Sequence, residues 1–227
     1  MPGQVQAKRH YPSLAPMETR PRPLRLAAGA LLIVAAVAFA ILAGSGAGGP
    51  NGSPAPPTAP GTGFDGAVLP AGLRAPPFTL TAQDGRAVSL AALRGRPVVI
   101  AFPYTTCRDS CVVLAQQIRG ALDELATAPS VLLISADPAV DTPARIERFL
   151  RRVSLSGRAS YLTGTPAQLA RVWREYHVTP ASAGAGAYAK YATVLLIDGR
   201  GEERVLYGQE QLTPEALSHD IRKIEGG

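Results

Sequence analysis

The chain has 227 residues, 46% of them hydrophobic and 18% charged, and a formal net charge of +6. That length holds one domain with appendages. Residues 1–25 carry five basic residues (Lys8, Arg9, Arg20, Arg22, Arg25) against Glu18, a net +4, so only +2 belongs to everything after them. Charge so placed, with no basic patch interleaved with aromatics, argues against a nucleic-acid partner and reads instead as a topology signal.

Residues 1–25 are therefore expected to be a basic cytoplasmic tail. Residues 26–43, from Leu26 to Ala43, contain no charged side chain. As a helix they would span roughly 27 Å, close to the hydrocarbon thickness of a bilayer. With the basic cluster before it, such an anchor keeps the N-terminus cytoplasmic and puts the remainder outside the cell membrane, single-pass. A cleavable signal peptide is the competing reading, with Ser45-Gly46-Ala47 as a small-residue cleavage site, but the long apolar run and long basic segment favour the anchor. Residues 44–63 are rich in Gly, Pro and Ser, have nothing to bury, and are expected to form a linker.

The domain over 64–227 opens with a hairpin: Phe78-Thr79-Leu80 and Ala87-Val88-Ser89 flank the turn signal Asp84-Gly85. Ser89 is expected to cap a short helical turn through Leu93, stopped by Gly95. Val98 to Phe102 is a β-branched apolar run, read as a buried central strand. After it come Cys107 and Cys111, the only cysteines. From Cys111 onward Leu114, Ile118, Leu122 and Leu125 recur at helical spacing. Val131 to Ile134 is a second apolar strand. Thr142-Pro143, Thr165-Pro166 and Thr213-Pro214 each predict a helix start, with Thr at the N-cap and Pro in the first turn, where its missing N–H is not needed. Trp173 and Tyr176 belong to an apolar helical face and read as core. Asp141, just before Thr142-Pro143, reads as part of a helix start rather than as a cation ligand with Asp137. A short strand falls between the second and third helices, and Val194–Ile197 with Arg204–Tyr207 form a hairpin about Asp198-Gly199. This order predicts an α/β fold, a thioredoxin-like mixed sheet flanked by helices and preceded by one N-terminal transmembrane helix.

A strand that runs into a cysteine pair at a helix start is the active-site layout of thioredoxin-type folds. The N-terminal N–H groups and the helix dipole favour thiolate over thiol there. A structural disulfide gains most by closing a long loop, and C-x3-C closes almost none, so a redox or metal-binding role for Cys107 and Cys111 is preferred.

The stretch Phe102-Pro103-Tyr104-Thr105-Thr106-Cys107-Arg108-Asp109-Ser110-Cys111 resembles the F-x-Y-T-x-C-x-D-x-C signature of the Sco/SenC family. Ser135-Ala136-Asp137-Pro138 with Asp141-Thr142-Pro143, and Leu162-Thr163-Gly164-Thr165-Pro166, fit the same family, so the similarity runs from about Phe64 to the C-terminus. The resemblance implies a membrane-anchored, thioredoxin-like protein of cytochrome c oxidase assembly. It implies copper as cofactor and, as partner, a membrane-bound oxidase subunit or another copper or thiol protein. In the family two cysteines and a histidine before the penultimate strand hold copper. Cys107 and Cys111 match the first two, but Lys190 stands at the histidine position. Val112 replaces the proline that commonly follows the second cysteine.

Lysine is a poor copper ligand while protonated. A cation near the thiols would instead lower their pKa, so Lys190 joins Cys107 and Cys111 as a candidate catalytic residue. His177, at the end of the Trp173 helix, is the nearest substitute ligand, although the helix dipole accounts for its place. His219 is expected to be solvated. Two readings stay open, copper delivery and metal-independent thiol–disulfide exchange, with a peroxiredoxin-like peroxidase a weaker third on Thr-x-x-Cys.

Overall fold

The structure, a computed structural model, describes residues 63–183 and 193–226. The proposed tail, anchor and almost all of the linker lie outside these residues, and so does Lys190. Among the described residues no helix is long and apolar enough to cross a membrane.

The centre of the fold is set by β4 (Val98–Ala101), whose four residues are all buried. A strand covered on both faces needs no polar alternation, which is why the sequence reads as an unbroken apolar run. β5 (Ser130–Ile134) lies parallel to it, with Ala101 opposite Leu133. β7 (Thr193–Ile197) lies antiparallel on its other side, with Ala101 opposite Val194. Fully burying a Val, Leu or Ile side chain contributes roughly 1.5–3 kcal/mol, so these three strands form the most strongly held part of the sheet.

Parallel neighbours require crossovers. α1 (Ser110–Asp123) carries the chain from β4 to β5, and α2 (Pro143–Arg152) carries it from β5 to the parallel β6 (Ser160–Thr163). The hairpin β2 (Thr79–Ala82) and β3 (Ala87–Ser89) extends the sheet beyond β6, its turn completed by Gly85 at φ +84°. On the far side β8 (Glu203–Gly208) pairs with β7. With the edge strand β1 (Ala67–Val68), the eight-stranded order is β1-β8-β7-β4-β5-β6-β2-β3. β1 was not foreseen: two exposed residues carry no periodic signal, and pairing with β8 alone defines them.

α3 (Pro166–Glu175) and α4 (Pro214–Glu225) complete the helices, and α4 packs on α1. All three Thr-Pro starts are helix starts, but their caps differ. Thr165 forms a full capping box with Gln168, and Thr213 accepts from the Ala216 N–H, whereas Thr142 makes no side-chain cap bond. The turn after β3 is a 3₁₀ segment, Leu90–Leu93, and Ser89 does not cap it through its side chain. Leu114, Ile118 and Leu122 are buried along α1 as expected, while Leu125 lies beyond the helix end. The mixed sheet flanked by helices agrees with the predicted fold class.

Candidate functional site

β4 ends at Ala101 at the carboxyl end of the parallel strands, the usual place for a site in an open α/β sheet. The loop that follows is held at several points. The carbonyl of Pro103 accepts the Ala136 N–H at 2.9 Å and the Tyr161 hydroxyl at 3.1 Å. The Thr105 N–H donates to Asp141 Oδ1 at 2.7 Å. Asp141 Oδ2 accepts the hydroxyls of Ser135 at 2.6 Å and Tyr161 at 2.7 Å.

Asp141 therefore does not serve as part of the α2 cap. Thr142 occupies the N-cap position, and Asp141 is turned inward, 5% exposed, with its carboxylate tying the cysteine loop to the ends of β5 and β6. A buried carboxylate is tolerated when donors saturate it, and here one backbone N–H and two hydroxyls do so. The sequence placed Asp141 near a helix start and missed this role. The available signal was Tyr161, whose hydroxyl needs a partner in a strand of otherwise core character.

Cys107 is 6% exposed and Cys111 fully buried, with Cα atoms 5.7 Å apart and their sulfurs joined as a disulfide. The Cys111 N–H donates to Cys107 Sγ at 3.1 Å, and the Ser110 hydroxyl lies 3.3 Å from the same sulfur. Cys107 thus faces the first turn of α1, where free N–H groups and the dipole stabilise negative charge.

The other candidates fall elsewhere. β7 begins at the same end of the sheet, but Lys190, three residues before Thr193, is not among the described residues. His177 is exposed, adopts φ +54° after α3, and lines a cavity with Phe102, Tyr176 and Glu203. Burial raises the Glu203 carboxyl above its usual range, and the His177 imidazole pulls it partly back. No described His, Cys, Asp or Glu joins the two sulfurs in a group of three close enough to hold an ion, so the structure does not bring His177 to the cysteines. His219 is not simply solvated. It is half exposed, and its Nδ1 lies 2.9 Å from Asp65 Oδ2 and 3.1 Å from Asp220 Oδ1. Trp173 and Tyr176 pack against the core as expected, and their polar atoms donate to the carbonyls of Ser135 and Pro76.

Residues 69–225 match the SCO1/SenC family. Protein SCO1 homolog 1, mitochondrial, of Arabidopsis thaliana is 28% identical over 106 residues, covering 45% of this chain and 31% of that protein's length. The structure of Bradyrhizobium japonicum ScoI with copper bound is 29% identical, with TM-score 0.51, covering 67% of this chain and 99% of that one. BsSco, described with a disulfide switch and as a member of the Sco family of cytochrome c oxidase assembly proteins, shares the fold. It matches at TM-score 0.58 and 20% identity, over 70% of this chain and 98% of that one.

Proposed function

The chain belongs to the SCO1/SenC family, and on that premise we propose that it supports assembly of the copper centre of cytochrome c oxidase through the Cys107–Cys111 dithiol. The observation that carries this reading is the cysteine pair itself. Its disulfide sits at a helix N-terminus, on a loop anchored by Asp141, with an N–H aimed at Cys107 Sγ. The oxidised pair cannot ligate metal. Reduced, it presents two soft sulfurs on one short loop, the donor type that suits Cu(I). Copper is the cargo in this reading. Cys107 and Cys111 hold it, Asp141 and Tyr161 fix the loop that carries them, and the near-complete burial of both sulfurs limits their contact with water.

The proposal includes a tether: residues 26–43 anchor the chain in the cell membrane, with residues 1–25 cytoplasmic and the domain extracytoplasmic, within reach of a membrane-bound oxidase subunit. A reporter that works only in the cytoplasm, fused after Gly227, should be inactive. Activity would reject that orientation. Mature protein beginning near Gly48 would reject the anchor.

A second reading rests on Lys190, which stands where the family's histidine is expected. Without that ligand the pair acts by thiol–disulfide exchange. A client disulfide is reduced to two thiols while Cys107 and Cys111 form their bridge, two electrons and two protons passing to the client. Titration of the reduced full chain in detergent with Cu(I) separates the two. One tightly bound copper per chain, lost in Cys107→Ser, supports delivery. Weak binding together with reduction of a model disulfide supports exchange. Under delivery, Lys190→His should tighten Cu(I) binding by supplying an imidazole. Under exchange with the Lys190 ammonium facing the thiols, Lys190→Met should slow alkylation of the reactive cysteine by removing that cation.

A further inference from the structure

Beside the cysteine loop runs a cleft of about 220 Å³ whose wall is made by Arg145, Arg148 and Arg152 of α2 and whose other side is Thr105 and Thr106. All three arginines are exposed and recur at helical spacing, so they form one stripe along α2. Arg151 on the same helix is paired with Glu147, but among the described residues neither Arg148 nor Arg152 has an acidic partner. Helix stability explains only part of the stripe, since Arg152 lies in the last turn of α2, where the dipole favours a cation. Arg148 and Arg152 are a like-charged i, i+4 pair, and Arg145 puts a cation in the first turn, where the dipole disfavours it.

The stripe is also held in fixed relation to the cysteines. The Thr105 hydroxyl donates to the Val140 carbonyl at 3.5 Å, and Arg145 Nη1 donates to that carbonyl at 3.2 Å. The Phe149 ring, between the arginines in sequence, packs edge-on against Tyr161 at 6.1 Å, and Tyr161 in turn bonds to Pro103 and Asp141. Helix and loop therefore behave as one unit.

We propose that this cleft is the docking surface for an acidic segment of the client protein, carboxylates engaging Arg148 and Arg152 so that the client's reactive group is presented to Cys107. Guanidinium groups suit carboxylates through paired N–H donors, and the net charge of +2 left after residue 25 is smaller than the charge this one stripe carries. That the docked protein is a client of the cysteine pair rests on the function proposed above; the surface itself rests on the stripe.

The test uses the full chain in detergent. In the Cys107→Ser, Cys111→Ser variant, where no thiol chemistry intervenes, two labelled peptides are titrated: one with Asp and Glu around a central serine, the other with Asn and Gln. The acidic peptide should bind about tenfold tighter at low salt, the gap closing as salt screens it. Adding Arg148→Gln and Arg152→Gln should abolish the preference. Equal affinities, or a preference that survives the arginine substitutions, would overturn the proposal. So would displacement by inorganic phosphate at matched ionic strength, which would mark a phosphate site.

The Cys111→Ser variant then meets the same peptides with a central cysteine activated as a 2-pyridyl disulfide. The Cys107 thiolate attacks the peptide sulfur, the peptide–pyridyl S–S bond breaks, and 2-thiopyridone leaves. The acidic peptide should react about tenfold faster at low salt. Tight binding without faster reaction would overturn the placement beside Cys107. Binding with no reaction by either peptide would count against the thiol chemistry while leaving the acidic docking surface supported.

Discussion

Two buried carboxylates do the same physical job at two places, with different consequences. Asp141 takes the Thr105 N–H and the hydroxyls of Ser135 and Tyr161, and so fixes the loop that carries Cys107. Asp220 in α4 takes the backbone N–H groups of Asp65 and Gly66, the Tyr207 hydroxyl and His219 Nδ1, and so fixes the segment that enters the domain. That entry is reinforced by Lys223, whose ammonium donates to the Gly63 carbonyl at 2.9 Å and lies 4.8 Å from the Phe64 ring centroid. Both aspartates are saturated by donors, most of them distant in sequence, and both pair with a tyrosine. In both places a buried Asp–Tyr pair clamps irregular backbone. The two differ in what the clamped backbone carries: the cysteine pair in one case, the entry to the domain in the other.

The largest effect expected from breaking this comparison comes from removing each carboxylate. Asp141→Ala and Asp220→Ala should each lower stability by about 3 kcal/mol, because several buried donors lose their acceptor. Denaturant midpoints measure that loss. Only Asp141→Ala should also change the alkylation rate of reduced Cys107. An equal change in Asp220→Ala would erase the distinction between the two clamps.

Replacing both cysteines by serine should cost less, at most about 2 kcal/mol, since the bridge closes a loop of very few residues. A larger loss in the midpoint would make the disulfide a structural element and count against a redox role. Smaller again are the hydroxyl deletions. Tyr161→Phe and Tyr207→Phe should each cost about 1 kcal/mol, with thiol reactivity altered only by the first.

A final difference is in pH dependence. Burial, followed by its bond to Asp220, raises the Tyr207 hydroxyl above its usual range, and burial raises Tyr176 in the same direction. A folded pKa above the unfolded value of about 10 gives stability that is complete below pH 10 and is lost as pH rises past it. The denaturant midpoint should therefore fall above about pH 10, and the fall should flatten in Tyr207→Phe. An unchanged slope would place the alkaline transition elsewhere.

Much of this protein was legible in its sequence because the signals are local. The Val98–Ala101 run, the spacing of Leu114, Ile118 and Leu122, and the three Thr-Pro helix starts each reflect short-range sterics and burial within one element, so they need no knowledge of neighbours. The cysteine pair at a strand–helix junction was likewise readable, as was the family. Tertiary structure alone decided the remainder. Asp141 lies 36 residues from Thr105, and 20 from Tyr161. No periodicity joins such positions, and a helix-start aspartate and a loop clamp look alike until β5 and β6 are laid side by side. β1 exists only as a pairing with β8, and His219 gained Asp65 as a partner only when the entering segment folded onto α4. The arginine stripe had its spacing in the sequence but not its meaning. That came from the contacts holding α2 against the loop before Cys107, which depend on where the sheet places them.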